Sequence, residues 1–263
     1  MNTNNKIVAI IQARMESTRL PGKMMKNISG KPLIQHVIER VQHCKIINEV
    51  IVATTEEPKD NLLVACCRGF NIKVYRGNKE DVLERYYQCA KLFDADIIVR
   101  ITGDCPFTDP DIIEETINHF LEHDCDYVST SYPYPTFPDG LDVEVFSFNT
   151  LKIARNRARL LSEREHVTPY IWKNKSGRFK IETIRYERNL SNKRWTIDEE
   201  IDLQFVRNVF YALYQEEYIF KFLEILEYLK SNPEVEKINS GIMRNEGYQK
   251  SLLLDRNDNA IKA

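Results

Sequence analysis

Short apolar runs alternate with longer amphipathic segments over the first half of this chain, and that rhythm constrains the fold more than any other feature. Lys6 to Gln12 carries Ile7, Val8, Ile10 and Ile11. A run without interspersed polar residues reads as a strand buried on both faces. Pro32 to Cys44 then places Leu33, Ile34, Val37, Ile38 and Val41 at helical spacing. Glu49 to Thr54 reads as a strand, Lys59 to Arg68 as a helix and Ile72 to Tyr75 as a strand. Asp81 followed by Glu84 has the form of an N-cap opening a helix. Asp96 to Thr102 is another apolar strand, and Asp109-Pro110 caps and starts a helix running to about His123. Asp126 to Thr130 completes the series. This β-α-β-α order predicts an α/β fold, a doubly wound and mostly parallel sheet covered on both faces. In such sheets ligands bind beyond the carboxyl ends of the strands.

The pattern changes after Thr130. Tyr132 to Gly140 is rich in proline and reads as a loop covering the site. Asp142 to Ser147 and Arg194 to Ile197 read as strands, Asp202 to Tyr214 and Ile219 to Leu229 as helices, the last stopped by Asn232-Pro233. The charged run Arg155 to Glu165 reads as a solvated helix face and a loop, and Asp255 to Ala263 as a frayed polar end. A length of 263 residues suits one α/β domain over residues 1–215 and a C-terminal helical extension over residues 216–263.

Lysines and arginines number 37 against 39 acidic residues. That balance gives no support to a nucleic-acid or membrane-surface binder, so any phosphate site must be a local cluster. Met1 to Asn5 is polar and Ile7 to Ile11 too short for a signal core, so the expected compartment is the cytoplasm. The cysteines lack C-x-x-C spacing and read as reduced thiols. A homodimer is compatible with the residues, which do not reveal the oligomeric state.

Two strand ends and a short third segment carry the chemistry. The loop Gln12-Ala13-Arg14-Met15-Glu16-Ser17-Thr18-Arg19-Leu20-Pro21-Gly22-Lys23 gathers cations, hydroxyls and a Pro-Gly turn at a carboxyl end. Cations and turn amides suit a triphosphate, although basic loops are also common surfaces. Ile101-Thr102-Gly103-Asp104-Cys105-Pro106 brings a carboxylate, a hard ligand for magnesium or a local turn cap, to the same edge. Asp198, after Arg194-Trp195-Thr196-Ile197, is a partner for Asp104 or a cap for the next helix. Tyr86 and Tyr87 are candidates for base stacking, with at least one expected in the core. His119 and His123 read as exposed helix histidines rather than a zinc pair.

These segments resemble the cytidylyltransferases that make CMP-activated acidic sugars, and in particular their spore-coat polysaccharide biosynthesis branch, related to the CMP-Kdo and CMP-sialic acid synthetases. The likeness continues in Arg76-Gly77 with Asp81-Val82-Leu83, in Pro138-Asp139-Gly140-Leu141-Asp142-Val143-Glu144 and in Ser162-Glu163-Arg164-Glu165-His166. It reaches Asn245-Glu246-Gly247-Tyr248 and Lys250-Ser251-Leu252.

The resemblance implies the nucleotide-diphospho-sugar transferase fold and a magnesium-dependent transfer from CTP to a sugar or sugar-acid acceptor, releasing pyrophosphate. Arg14 and Lys23 would hold the CTP phosphates and act in catalysis with Asp104 and Asp198, which would hold Mg2+. Gln12, Ala13, Arg19, Asp81 and Gly103 would complete the nucleotide site, and Asp139, Arg164 and His166 would face the acceptor. One residue departs from the family pattern: Glu16 stands where a small residue is usual, and a carboxylate beside a triphosphate must point away or pair with Arg19. The alternative is a metal-dependent glycosyltransferase of the same fold, which normally carries Asp-x-Asp where this chain has Gly103-Asp104-Cys105.

Overall fold

The computed structural model describes residues 5–242 and 244–261. In chain order, β1 (Ile7–Gln12) is followed by a 3-10 turn at Lys23–Met25 and a small hairpin of β2 (Asn27–Ile28) and β3 (Lys31–Pro32). Then come α1 (Leu33–His43), β4 (Glu49–Thr55), α2 (Asn61–Gly69), β5 (Lys73–Gly77), α3 (Val82–Leu92), β6 (Ile97–Thr102) and α4 (Pro110–Glu122). The second half holds β7 (Tyr127–Ser129), β8 (Glu144–Ser147), α5 (Phe148–Arg157), α6 (Leu161–His166), α7 (Pro169–Trp172) and β9 (Ile181–Thr183). It ends with α8 (Glu200–Leu213), α9 (Phe222–Ser231), α10 (Pro233–Glu236) and α11 (Glu246–Ile261).

The main sheet has seven strands in the order β5-β4-β1-β6-β8-β7-β9. All neighbours run parallel except at β8, which is antiparallel to both β6 and β7. The fold is thus the doubly wound, mostly parallel α/β sheet that the apolar rhythm predicts. Alternation along β1 shows why both faces are buried: Ile7, Ala9 and Ile11 pack into one core, Val8 and Ile10 into another. The first core takes Val37 and Val41 of α1, Ile113 of α4 and Val206 of α8. The second takes Leu83 and Tyr86 of α3, Leu151 of α5 and Ile171 of α7. Each such aliphatic side chain contributes about 1.5–3 kcal/mol on burial. Phe222, Ile225 and Leu229 of α9 and Val235 of α10 belong to the first core too.

Asp81 caps α3 as expected, accepting the Glu84 amide at 2.9 Å. Tyr86 is fully buried, donating to the Ile10 carbonyl at 3.1 Å, while Tyr87 stacks on Phe148. Two expectations need correction. Arg194 to Ile197 is not a strand: Arg194 forms one isolated bridge with Asp139, and the segment then crosses the sheet edge, the Ile197 amide donating to the Asp104 carbonyl at 2.9 Å. Nor does the chain fray from Asp255. That residue lies within α11, is buried, and accepts the Ser162 amide at 3.1 Å. Residues 1–4 and 262–263, named above in the polar start and the frayed end, lie outside the described residues. Among the described residues, no helix is long and apolar enough to cross a membrane.

Candidate active site

A cleft of about 340 Å3 opens at the carboxyl ends of the parallel strands. Its floor begins with β1 and the loop after it. The Gln12 carbonyl accepts the Gly103 amide at 2.8 Å, and the Met15 amide donates to Asp60 at 2.7 Å. Asp60 is buried and also holds Thr54 and Thr55 at the end of β4, which pins the loop to the sheet. The loop folds back where the Gly22 amide meets the Met15 carbonyl at 3.0 Å. Gly103 is needed for close approach: a Cβ there would lie 2.9 Å from the Ala13 Cβ and 3.1 Å from the Gln12 carbonyl oxygen.

Lys23 stands at the centre. Its Nζ donates to Asp104 Oδ2 at 2.7 Å, Asp198 Oδ1 at 2.9 Å and the Ile197 carbonyl at 2.8 Å. Residues far apart in sequence therefore meet on one ammonium group. A lysine beside a Pro-Gly turn would ordinarily be exposed, yet Lys23 is only 7% exposed. Burial pulls its pKa down, but Asp104 and Asp198 outweigh burial and leave it above the ordinary lysine value. For Asp198, burial acts to raise the pKa; Lys23, Arg19 and Arg194 reverse this and hold it at about 2. Asp198 also accepts from Arg194 at 2.9 Å and pairs with Arg19 at 3.0 Å. It does not cap α8: Glu199 is the N-cap, and Asp202 in the first turn reaches back to accept the Asp198 and Glu199 amides.

Removing the lysine has a direct consequence. Lys23→Ala should lower stability by about 2 kcal/mol, because two close carboxylates lose their shared counter-charge. The figure is discounted because both carboxylates are about a quarter exposed, at 26% and 22%. Turnover should fall about 10²-fold as well. Urea unfolding measures the first effect, and an unchanged midpoint would mean that the ammonium is not clamped.

The other sequence candidates divide into two groups. Gln12, Ala13, Arg14, Arg19, Lys23, Asp104, Asp198 and His166 all line the cleft. Gly103 lies directly beneath it against Ala13. Arg14 is exposed, and among the described residues it has no carboxylate partner. The structure turns Asp81 and Arg164 to each other instead: Arg164 Nε donates to Asp81 at 3.0 Å, and the guanidinium also takes the Arg155 carbonyl at 2.9 Å. That pair braces α6 against α3 and does not reach the cleft wall. Asp139 lies behind the site, 3.4 Å from Arg194 and 3.6 Å from Arg244. Burial and the charge of Asp142 push its pKa up to about 7 against the pull of those arginines. Burial lowers the His166 pKa to about 4, so its ring is neutral near pH 7.

Glu16 resolves differently from the two arrangements expected. It pairs with Lys59 at 3.0 Å and with Lys79, not with Arg19. Arg19 instead meets Glu246 at 2.7 Å. Lys79, Gly247 and Lys250 also line the cleft; none is expected there from sequence, although Gly247 and Lys250 lie in segments that carry the resemblance. Lys79 follows β5, so the carboxyl-end rule contained a signal for it. His119 and His123 stack on each other, and His119 pairs with Glu182. Among the described residues, no group of three His, Cys, Asp or Glu side chains is placed to hold a metal.

Asp104 and Asp198 nevertheless offer the right donors for a magnesium ion. Their carboxylate oxygens converge on one cation, Lys23, and a hard divalent ion with few protein ligands completes its shell from water and phosphate. The residues present fit such an ion.

Comparison with known proteins agrees with this geometry. A sequence model of the family described as cytidylyltransferase matches residues 8–238. An uncharacterized protein of Methanocaldococcus jannaschii is 34% identical, the match covering 93% of this chain and 98% of the relative. The spore coat polysaccharide biosynthesis protein SpsF of Bacillus subtilis is 32% identical over 80% of this chain and 87% of its own length. A solved cytidylyltransferase from Leptospira borgpetersenii superposes with a TM-score of 0.84 at 33% identity, covering 91% of this chain and all (100%) of that one. The CMP:2-keto-3-deoxy-manno-octonic acid synthetase, solved with CTP, shares the fold at a TM-score of 0.61 and 20% identity, over 79% of this chain and 99% of that one. The sheet order, the cleft at its carboxyl edge and a match running through nearly all of both place this chain in the cytidylyltransferase family of nucleotidyltransferases.

Proposed function

We propose that this enzyme transfers the cytidylyl group of CTP, with magnesium, to a sugar or sugar-acid acceptor destined for surface polysaccharide, in the cytoplasm. The observation that carries the reading is the buried Lys23 ammonium held between Asp104 and Asp198 in a cleft also lined by Arg14 and Lys79. The relative active in spore coat polysaccharide biosynthesis and the structural neighbour solved with CTP support the substrate classes.

In the proposed reaction an acceptor hydroxyl oxygen bonds to the α-phosphorus. The bond from that phosphorus to the β-phosphate oxygen breaks, pyrophosphate leaves with the electron pair, and the hydroxyl proton passes to solvent. Such chemistry needs positioning and charge neutralisation more than a covalent nucleophile. Arg14 and Lys79 present cations to the phosphates, and Lys23 sits where it can neutralise charge on the departing pyrophosphate. Magnesium, when bound by Asp104 and Asp198, supplies Lewis-acid charge to phosphate oxygens. His166, neutral and lining the same cleft, offers one hydrogen bond to the acceptor. The loop between β7 and β8, which carries Asp139, lies behind that side.

The test is pyrophosphate release from each of the four nucleoside triphosphates, with magnesium, against a panel of neutral and acidic sugars. CTP with an acidic sugar should give the largest signal. Preference for another triphosphate would overturn the choice of base, and no signal with any neutral or acidic sugar the choice of acceptor.

A further inference from the structure

The family match ends at residue 238, yet the cleft does not. Its outer wall includes Gly247 and Lys250, from the first turns of α11. That helix is anchored firmly. Ser251 is 3% exposed and donates to Glu165 at 2.6 Å, His166 lies 3.1 Å from the same hydroxyl, and Tyr248 packs edge-on against the His166 ring. Asp255 holds the Ser162 amide one turn further on. The first turn of α11 is therefore a fixed part of the cleft.

Glu246 gathers two cations at the rim. One oxygen accepts from Arg19 of the nucleotide loop at 2.7 Å, and the other lies 3.3 Å from Lys250 Nζ. Lys250 is 65% exposed and Glu246 39%, so this is a weak, solvent-screened pair. Phosphate oxygens are stronger partners for such cations once a polyanion enters the cleft.

We propose that Lys250 is a triphosphate-binding residue of the active site, and that Glu246 is the competing carboxylate which holds Lys250 and Arg19 until nucleotide arrives. The inference rests on the CTP-dependent reading of this same cleft. It assigns a segment after residue 238, where the family model stops, to nucleotide binding and requires two substitutions on one helix to act in opposite directions. Lys250→Ala removes a phosphate partner. Glu246→Gln removes a competitor and a like charge near the phosphates.

The test is calorimetry of CTP with magnesium on the full chain. Lys250→Ala should raise the Kd for CTP about 5- to 10-fold, and Lys250→Arg should stay within about 2-fold of the unmodified chain. Glu246→Gln should lower the Kd about 2- to 3-fold. Melting temperatures should be unchanged in all three, since exposed pairs contribute little to stability. A structural role for α11 would instead weaken binding in both Lys250→Ala and Glu246→Gln, and that result overturns the proposal. So does unchanged CTP affinity in Lys250→Ala when the unmodified chain binds CTP. If the unmodified chain binds no CTP at all, the cytidylyl-transfer reading fails, and this inference with it.

Discussion

Asp104→Asn and Asp198→Asn are each expected to lower kcat by on the order of 10³-fold, and the double variant to lose little more than either alone. The two carboxylates come from a strand end and from a crossing segment far along the chain. They are nevertheless one unit: both bind Lys23 Nζ, and the Ile197 amide ties the second segment to the Asp104 carbonyl. An amide keeps the shape of the carboxylate and removes its charge. Each single variant therefore leaves half of the proposed magnesium site, which should show as a higher magnesium concentration for half-maximal activity. Groups serving one ion lose most of their combined effect with the first substitution. A kinetic double-mutant cycle run across magnesium concentrations measures this. Independent, multiplicative losses would mean that the two aspartates act separately, and full turnover in either single variant would remove that residue from the mechanism.

Gly140→Ala should be the most damaging single methyl group that can be added near the site. Gly140 has φ +108°, and a Cβ there would stand 2.7 Å from the Trp195 carbonyl carbon and 2.8 Å from the Thr196 nitrogen. Those are backbone atoms of the segment that carries Asp198, and no rotamer change relieves the clash. The Trp195 amide also donates to the Asp139 carbonyl at 2.7 Å, so the two strips of chain are already at closest approach. Strain and displacement together should cost about 3 kcal/mol or more, and lower Tm by roughly 6–12 °C. The segment must shift to accommodate the methyl, and a shift near 1 Å at Asp198 is worth about 10²-fold in rate. A variant that melts and turns over like the unmodified protein would show that these strips are not in contact in solution.

The contacts behind both effects are only partly legible in the sequence. The strands β1, β4 and β6 stood out because an unbroken apolar run has few other fates, and Asp81 and Asp109 marked helix starts because their side chains serve local amides. The rule for parallel sheets places Asp104 at the ligand edge, whereas Asp198 reaches the same edge on a crossing segment that is not the strand its apolar residues suggest. The burial of Lys23 was not legible. A lysine next to Pro21-Gly22 looks like surface until Asp198, brought in from the far half of the chain, removes its water. Asp81 and Arg164 were assigned to the cleft by resemblance, whereas geometry pairs them with each other. Lys250 could not be placed at all from local pattern: α11 carries Leu252, Leu253 and Leu254 consecutively, which gives no helical stripe, and its docking is decided by Ser251 and Asp255 against α6.

The reversed strand β8 has a consequence for how this enzyme type diversifies. Parallel neighbours must be joined by a crossover helix, so the connections around β1, β4 and β6 cannot change length without repacking a core face. β7 and β8 are joined by a hairpin, whose residues 130–143 lie at the ligand edge. Phe137, Leu141 and Val143 of this loop are core residues, but its tip at Pro133-Tyr134 is exposed and lengthens cheaply, since doubling such a loop adds only about 0.6 kcal/mol in closure entropy. The sheet thus divides evolutionary freedom between its halves. Insertions and deletions can remodel that exposed tip one residue at a time, while β1, β4 and β6 stay locked in register by the helices packed against them.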